Sequence, residues 1–138
     1  MLSLSDTLLR TKISIPVLRL GLVLRKRLIE KLDKGLENRL TMISAPAGYG
    51  KTTLLCEWIA SHPPDVQFAW LALDEEDNNP TIFLQYAIAA LQVVDAEIGQ
   101  SLLPALQGPN PPDPVGFLSP LLNQINQRRD KVVLILDD

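Results

Sequence analysis

Two runs of this chain, VQFAWLAL at 66–73 and KVVLIL at 131–136, are apolar almost throughout. A run of that kind suits a strand in a parallel sheet covered on both faces. A third run, RLTMIS at 39–44, reads as a short buried strand ahead of them. The segments between carry helical spacing. In 25–36, Leu28, Ile29 and Leu32 share a face and Gly35 stands near the stop; in 51–61, Leu54, Leu55, Trp58 and Ile59 recur, and His62-Pro63-Pro64 ends the pattern. Residues 81–94 place Ile82/Phe83, Tyr86/Ala87, Ala90/Leu91 and Val94 on one stripe, entered by Asn79 as N-cap and Pro80 at the first helical position. Ile98, Leu102, Leu103 and Leu106 mark a further helical stretch that Pro104 bends or interrupts. After the loop GPNPPDP, residues 115–128 form a helix with Leu118, Leu121, Leu122 and Ile125 inward. Strands alternating with helices in this order give an α/β fold with parallel strands.

Length and charge narrow the class. A chain of 138 residues suits one domain and can bury a sizeable core. No apolar run approaches the ~18 residues of a membrane span, and the start, MLSLSDTLLRTK, lacks the order of a signal peptide. One cysteine, Cys56, excludes an internal disulfide and fits a reducing cytoplasm. The net charge of -3 carries no global nucleic-acid signal. Its distribution is uneven: residues 1–40 hold nine Lys/Arg against four Asp/Glu, and residues 41–138 hold four against twelve. A basic arm of this kind can bind DNA, but more often it is a solvated helix face or a local clamp on the body or its ligand.

Residues 45–52, Ala-Pro-Ala-Gly-Tyr-Gly-Lys-Thr, follow an expected strand and open an expected helix, which is the context of a Walker A loop. Small residues let the backbone curl so that successive N–H groups point into one concavity that holds phosphate oxygens. The helix dipole and its free N–H groups add positive potential. The loop expectation covers Pro46, Ala47, Gly48, Tyr49, Gly50, Lys51, Thr52 and Thr53. Amides of Gly48, Gly50, Lys51 and Thr52 hold phosphates, Lys51 reaches the β- and γ-phosphates, and the Thr52 hydroxyl takes a Mg²⁺ position. Ala45 stands where the strict pattern has glycine; a methyl is tolerated there if φ is negative. A plain glycine turn before a helix would not need Gly50-Lys51-Thr52-Thr53.

An apolar strand ending in acids, VVLILDD, resembles a Walker B element about eighty residues further on. Asp137 would hold Mg²⁺ through water, and Asp138 would orient or deprotonate the attacking water. The bland alternative is an acidic strand-end turn. Other residues take structural readings: Trp58 and Trp70 as core contacts, Cys56 as a buried thiol, Asp74 to Asp77 as an acidic helix entry. His62 stands alone beside two prolines, and Tyr49 shields the phosphates or packs on the helix.

The run LVLRKRLIEKLDKGLENRLTMISAPAGYGKTTLLCEWIA, with TKISIPVLR before it and FAWLALDEEDNNPTIFLQYAIAAL and VVLILDD after it, resembles the nucleotide-binding domain of MalT-like, LuxR-family transcriptional regulators. These are signal-transduction ATPases with numerous domains. The likeness covers nearly the whole chain, and SAPAGYGKTTLL with W-L-x-L-D-x-x-D-N-x-P is specific to the group. It implies that Val23, Leu24, Arg25 and Arg27 border the adenine. It also implies a slow ATPase switch, with DNA bound by a distant C-terminal helix-turn-helix. In the family's fold a later strand lies between the P-loop and Walker B strands. By that resemblance the stop at Asp138 marks an incomplete, poorly active fragment whose open strand edges favour self-association.

The expectation is therefore a three-layer α/β P-loop core with parallel strands, incomplete after the Walker B strand. Residues 1–38 form a basic lead-in and helix, and 39–138 the partial nucleotide-binding domain. Its ligands are ATP or ADP with Mg²⁺. The rival readings are a phosphotransferase acting on a small metabolite and a non-catalytic self-associating module.

Overall fold

The computed structural model describes residues 8–17, 25–62 and 64–138. The chain divides into two compact units, one of Met1–Ser14 with Pro64–Asp138 and one of Ile15–Pro63.

The first unit is built on two parallel strands, β1 (Val66–Ala72) and β2 (Lys131–Asp137), in register from Val66 opposite Lys131 to Ala72 opposite Asp137. Parallel strands need a crossover, and the helices between them supply it. The longest is α3 (Pro80–Val94). It starts where the sequence expects: Asn79 Oδ1 accepts the N–H groups of Thr81 and Ile82, at 3.0 and 3.3 Å, with Pro80 next. Leu71, Ile88 and Ala90 are fully buried, and Leu84, Ala87 and Leu91 join them in one core. Removing a side chain such as Leu71 or Ile88 from water contributes roughly 1.5–3 kcal/mol.

Beyond α3 the chain turns before α4 (Leu103–Gln107), and α5 (Pro114–Asn126) leads back to β2. Pro104 falls in the first turn of α4, so it opens a short helix where the sequence suggested an interruption. Phe117 and Leu121 carry the buried face of α5, and Ile125 is partly buried against the same core. Leu118 and Leu122, expected inward, are 38% and 53% exposed. The apolar residues of α5 span more of the helix than its contacts cover. Arg128 then bridges Asp95 and Asp130, drawing the loop after α3 to the entry of β2.

The basic lead-in contributes to this unit. Arg10–Lys12 form a 3-10 turn. The Lys12 ammonium lies 2.7 Å from Asp77 and 3.0 Å from Asp74, and 4.2 Å from the centroid of the Tyr86 ring. The Lys12 side chain is 7% exposed and that of Asp77 4%. Burial lowers the proton affinity of Lys12, but the hydrogen bonds it donates to Asp77 and Asp74 outweigh it and leave the ammonium above its ordinary range. The hydrogen bond from Lys12 holds the Asp74 carboxyl below the usual carboxylate value. Asp74 and Asp77 also cap each other's backbone in a capping box. The acidic helix entry is thus a socket for one lysine of the lead-in.

The second unit pairs α1 (Lys26–Gly35) with α2 (Lys51–Ser61). Ile29 and Leu32 of α1, and Leu54, Leu55, Cys56 and Trp58 of α2, are buried. Asp33 ties the helices together: Trp58 Nε1 donates to its Oδ1 at 2.8 Å, and His62 Nε2 lies 3.1 Å from the same oxygen. The expected strand at 39–44 is absent. These residues are coil, with Leu40 and Met42 79% and 82% exposed. A strand exists through its ladder, and among the described residues nothing pairs with this segment. The fold is a mixed α/β arrangement with a two-stranded parallel sheet, compatible with an incomplete α/β domain. Among the described residues no helix is long and apolar enough to cross a membrane.

Candidate functional site

The geometry of residues 45–53 follows from where glycine stands. Tyr49 N–H donates to the Pro46 carbonyl at 3.3 Å, closing a turn. Gly48 and Gly50 have φ of 85° and 78°. That left-handed region costs an ordinary L-residue about 1–2 kcal/mol, so the loop needs glycine at both positions. No other described residue type has positive φ, and Ala45 therefore keeps a backbone in which its methyl is tolerated.

Gly50 is the N-cap of α2 and brings no capping side chain of its own. Its carbonyl accepts Leu54 N–H at 2.9 Å, which starts the helical ladder. The amides of Gly48, Gly50 and Lys51 make no backbone hydrogen bond among the described residues. Orphan amides at a helix head, with the macrodipole behind them, form an anion-attracting end. Lys51, at the first helical position, is half-buried and has no ion pair among the described residues. Thr52 and Thr53 are half-buried in the same turn, while Pro46, Ala47 and Tyr49 are exposed.

Arg25 precedes α1 and reaches this loop. Its Nη2 donates to the Gly50 carbonyl at 3.0 Å, and its Nε lies 3.6 Å from Glu57 Oε2. Glu57, on α2, is buried and was not anticipated from sequence. The available signal was a lone acid between Cys56 and Trp58 on a helix of apolar residues. Val23 and Leu24 lie outside the described residues, and Arg27 is exposed on α1.

The two acids expected to complete the site belong to the other unit. Asp137 ends β2 opposite Ala72, its carbonyl accepting Leu73 N–H at 2.6 Å, and Asp138 follows, exposed. The second unit thus brings together Arg25, Gly48, Gly50, Lys51, Thr52 and Glu57, and the first unit holds Asp137 and Asp138. Among the described residues no group of three or more His, Cys, Asp or Glu side chains gathers as a metal cage. Mg²⁺ at a phosphate site takes one or two protein oxygens and finds the rest on phosphate and water, so a hydroxyl and a carboxylate are the appropriate donor types. What the loop can do chemically is receive an anion: amides with no backbone partner among the described residues, one ammonium and a helix dipole act at one end of α2.

No family model matches the chain. It is similar to the HTH-type transcriptional regulator MalT of Serratia proteamaculans (strain 568), 45% identical over 86 residues. It is also similar to the proteins of that name from Yersinia enterocolitica, 44% identical over 86 residues, and Cronobacter sakazakii, 45% over 85. In each case the match covers 62% of this chain and 9% of the relative. The chain therefore matches less than a tenth of the length of these relatives.

Proposed function

We propose that this chain is the ATP-binding switch portion of a MalT-like transcriptional regulator, with Mg²⁺ held beside the nucleotide. The observation that carries the reading is the left-handed pair Gly48 and Gly50 at the head of α2, with the Gly48, Gly50 and Lys51 amides making no backbone hydrogen bond among the described residues. A turn built this way costs conformational freedom. A bound polyphosphate offsets that cost by taking the orphan donors. The likeness to the MalT regulators supports the assignment to gene control.

In this reading the amides of Gly48, Gly50, Lys51 and Thr52 orient the phosphates. Lys51 neutralises them, raising affinity and favouring the charge that develops on transfer. The Thr52 hydroxyl would take a Mg²⁺ position and the metal would supply charge neutralisation to the phosphates; the metal-binding role expected of a Walker B strand end falls to Asp137. Arg25 stands at the border of the nucleotide, and the water-orienting role expected of a Walker B strand end falls to Asp138. Hydrolysis is slow and serves to reset the switch. We assign no DNA contact to these 138 residues; in the proposed regulator that role belongs to a helix-turn-helix elsewhere. The protein works in the cytoplasm.

The test is a calorimetric titration of the chain with ATP and with ADP, each with and without Mg²⁺, alongside Lys51→Ala. Binding by the wild type that collapses in the variant supports the reading. Equal affinity in both refutes it. Phosphate release with and without small acceptor metabolites separates the switch from a phosphotransferase. Sedimentation without nucleotide exposes a purely self-associating module.

A further inference from the structure

We propose that Glu57 and Arg25 are positioning residues that set the direction of the Lys51 amide; this role rests on the nucleotide reading above. The starting point is the carboxylate. Glu57 has a side chain 5% exposed, and its Oε2 makes no hydrogen bond among the described residues. A buried carboxylate is costly unless a cation answers it. The cation at hand is Arg25, 3.6 Å away and itself 31% exposed. A glutamine would fill the same space without the charge, so the charge has meaning through Arg25.

Arg25 passes the constraint on. Its Nη2 donates to the Gly50 carbonyl at 3.0 Å, and Leu54 N–H donates to the same oxygen at 2.9 Å. Two donors on one carbonyl fix its direction. The Gly50–Lys51 peptide is planar and trans, so the Lys51 N–H points opposite to the Gly50 C=O. Holding that oxygen on Arg25 and Leu54 turns the Lys51 N–H out of the helix head, where a phosphate oxygen would meet it. Gly50, the N-cap of α2, has no side chain to cap the helix, and the guanidinium steadies this peptide from outside it. Gly50 fits the arrangement twice over. Its φ is left-handed, and a Cβ there would stand 3.1 Å from Arg25 Nη1.

The experiment follows a fluorescent ATP analogue with Mg²⁺ binding to the full chain. It compares wild type, Glu57→Gln, Arg25→Ala, Arg25→Lys and the double variant Glu57→Gln/Arg25→Ala. Thermal unfolding and the ¹⁵N–¹H resonance of the Lys51 amide without nucleotide are recorded on the same samples. Losing a charge-assisted hydrogen bond predicts about tenfold weaker binding for Arg25→Ala and about threefold for Glu57→Gln. The double variant should match Arg25→Ala alone, because Glu57 acts through Arg25. Arg25→Lys should recover part of the affinity, and the Lys51 resonance should move in each single variant.

A merely structural Glu57 would lower the melting temperature, leave that resonance in place and weaken the double variant further; that pattern overturns the proposal. Wild-type binding with unchanged affinity in both single variants overturns this role and leaves the nucleotide reading standing. No binding by the wild type overturns the nucleotide reading and this role with it. Should Glu57→Gln not fold, the Lys51 amide resonance of Arg25→Ala, recorded without nucleotide, decides: a shift supports the positioning role and an unmoved resonance overturns it.

Discussion

Lys12 and Lys51 are the same residue in two regions of the molecule, and their surroundings differ in kind. Lys12 is sunk into the first unit, between two carboxylates and against the face of Tyr86. Lys51 stands at the head of α2 in the second unit, half-buried, with no ion pair among the described residues. A cation whose partners are built into the fold holds the fold together. A cation left without partners beside orphan amides is available to something that arrives from outside. The contrast separates residues whose loss unfolds the chain from residues whose loss silences it.

The largest effect should come from Lys12→Met, which keeps most of the stem and removes the charge. It strands Asp77, whose side chain is 4% exposed and whose Oδ1 already lacks a partner. Breaking a buried pair from one side costs about 3–5 kcal/mol, a large part of an ordinary domain's stability. Thermal unfolding should show the loss. Adding Asp77→Asn should return part of it, since no uncompensated charge then remains. Nucleotide affinity, measured where the variant is folded, should hold. A variant as stable as wild type would break the contrast from the Lys12 side.

Lys51→Ala should behave in the opposite way. Melting should shift little, because no ion pair is lost. ATP affinity should fall about a hundredfold, the scale of a charge-assisted contact together with its Coulomb attraction. Calorimetry on the two lysine variants side by side would sharpen the comparison, and a large melting loss in the Lys51 variant would blur it.

Much of this was legible in the sequence, and the failures share a cause. Helix α2 was placed at Lys51–Ser61 from its apolar spacing and the His62-Pro63-Pro64 stop. Asn79 and Pro80 announced α3, because a cap and a fixed φ are local chemistry. Strands 66–73 and 131–136 were visible as apolar runs, and they found each other. Residues 39–44 carry a similar signal and remain coil, because a strand also depends on a partner that the segment itself does not encode. Leu118 and Leu122 failed likewise: spacing placed them on a helix, and burial depends on what packs there. Ahead of α2, the glycine turn was legible because positive φ selects glycine, as Gly48 and Gly50 show. The socket for Lys12 and the buried Glu57 were not, since both join residues distant in sequence through side chains alone.

A smaller effect tests whether the loop is shaped for its role. Gly50→Ala imposes a Cβ at φ 78°, against the Arg25 guanidinium. The backbone term is about 1–2 kcal/mol, and relaxing it rotates the Gly50–Lys51 peptide. Affinity for the nucleotide should fall by about tenfold, with a melting loss well below that of Lys12→Met. Gly48→Ala supplies the control: the same backbone penalty applies, but a Cβ there meets nothing within 4 Å. Equal effects from both would show that backbone strain alone matters and that Arg25 plays no part.

The smallest effect is a pH dependence of the first unit, part of it from the Lys12 socket. Hydrogen bonding to Lys12 lowers the Asp74 carboxyl below its ordinary 3.8. In the same way the Arg128 hydrogen bond lowers Asp130. A depressed carboxyl contributes stability that is fully present above the unfolded value and disappears as pH falls through the folded one, because the unfolded chain binds the proton first. Lys12 is raised above 10.5, so its contribution is complete below that value and is lost as pH rises through the folded one. The first unit should therefore hold its stability on a plateau from mildly acid to mildly alkaline pH and lose it below 3.8. In Lys12→Met the Asp74 share of the acid slope should vanish while the Asp130 share remains. Parallel acid titrations of wild type and variant, followed by urea unfolding at each pH, would resolve the difference. Identical slopes would mean that Asp74 draws its depression from its own turn, and the lysine would then be a guest in the socket, not its organiser.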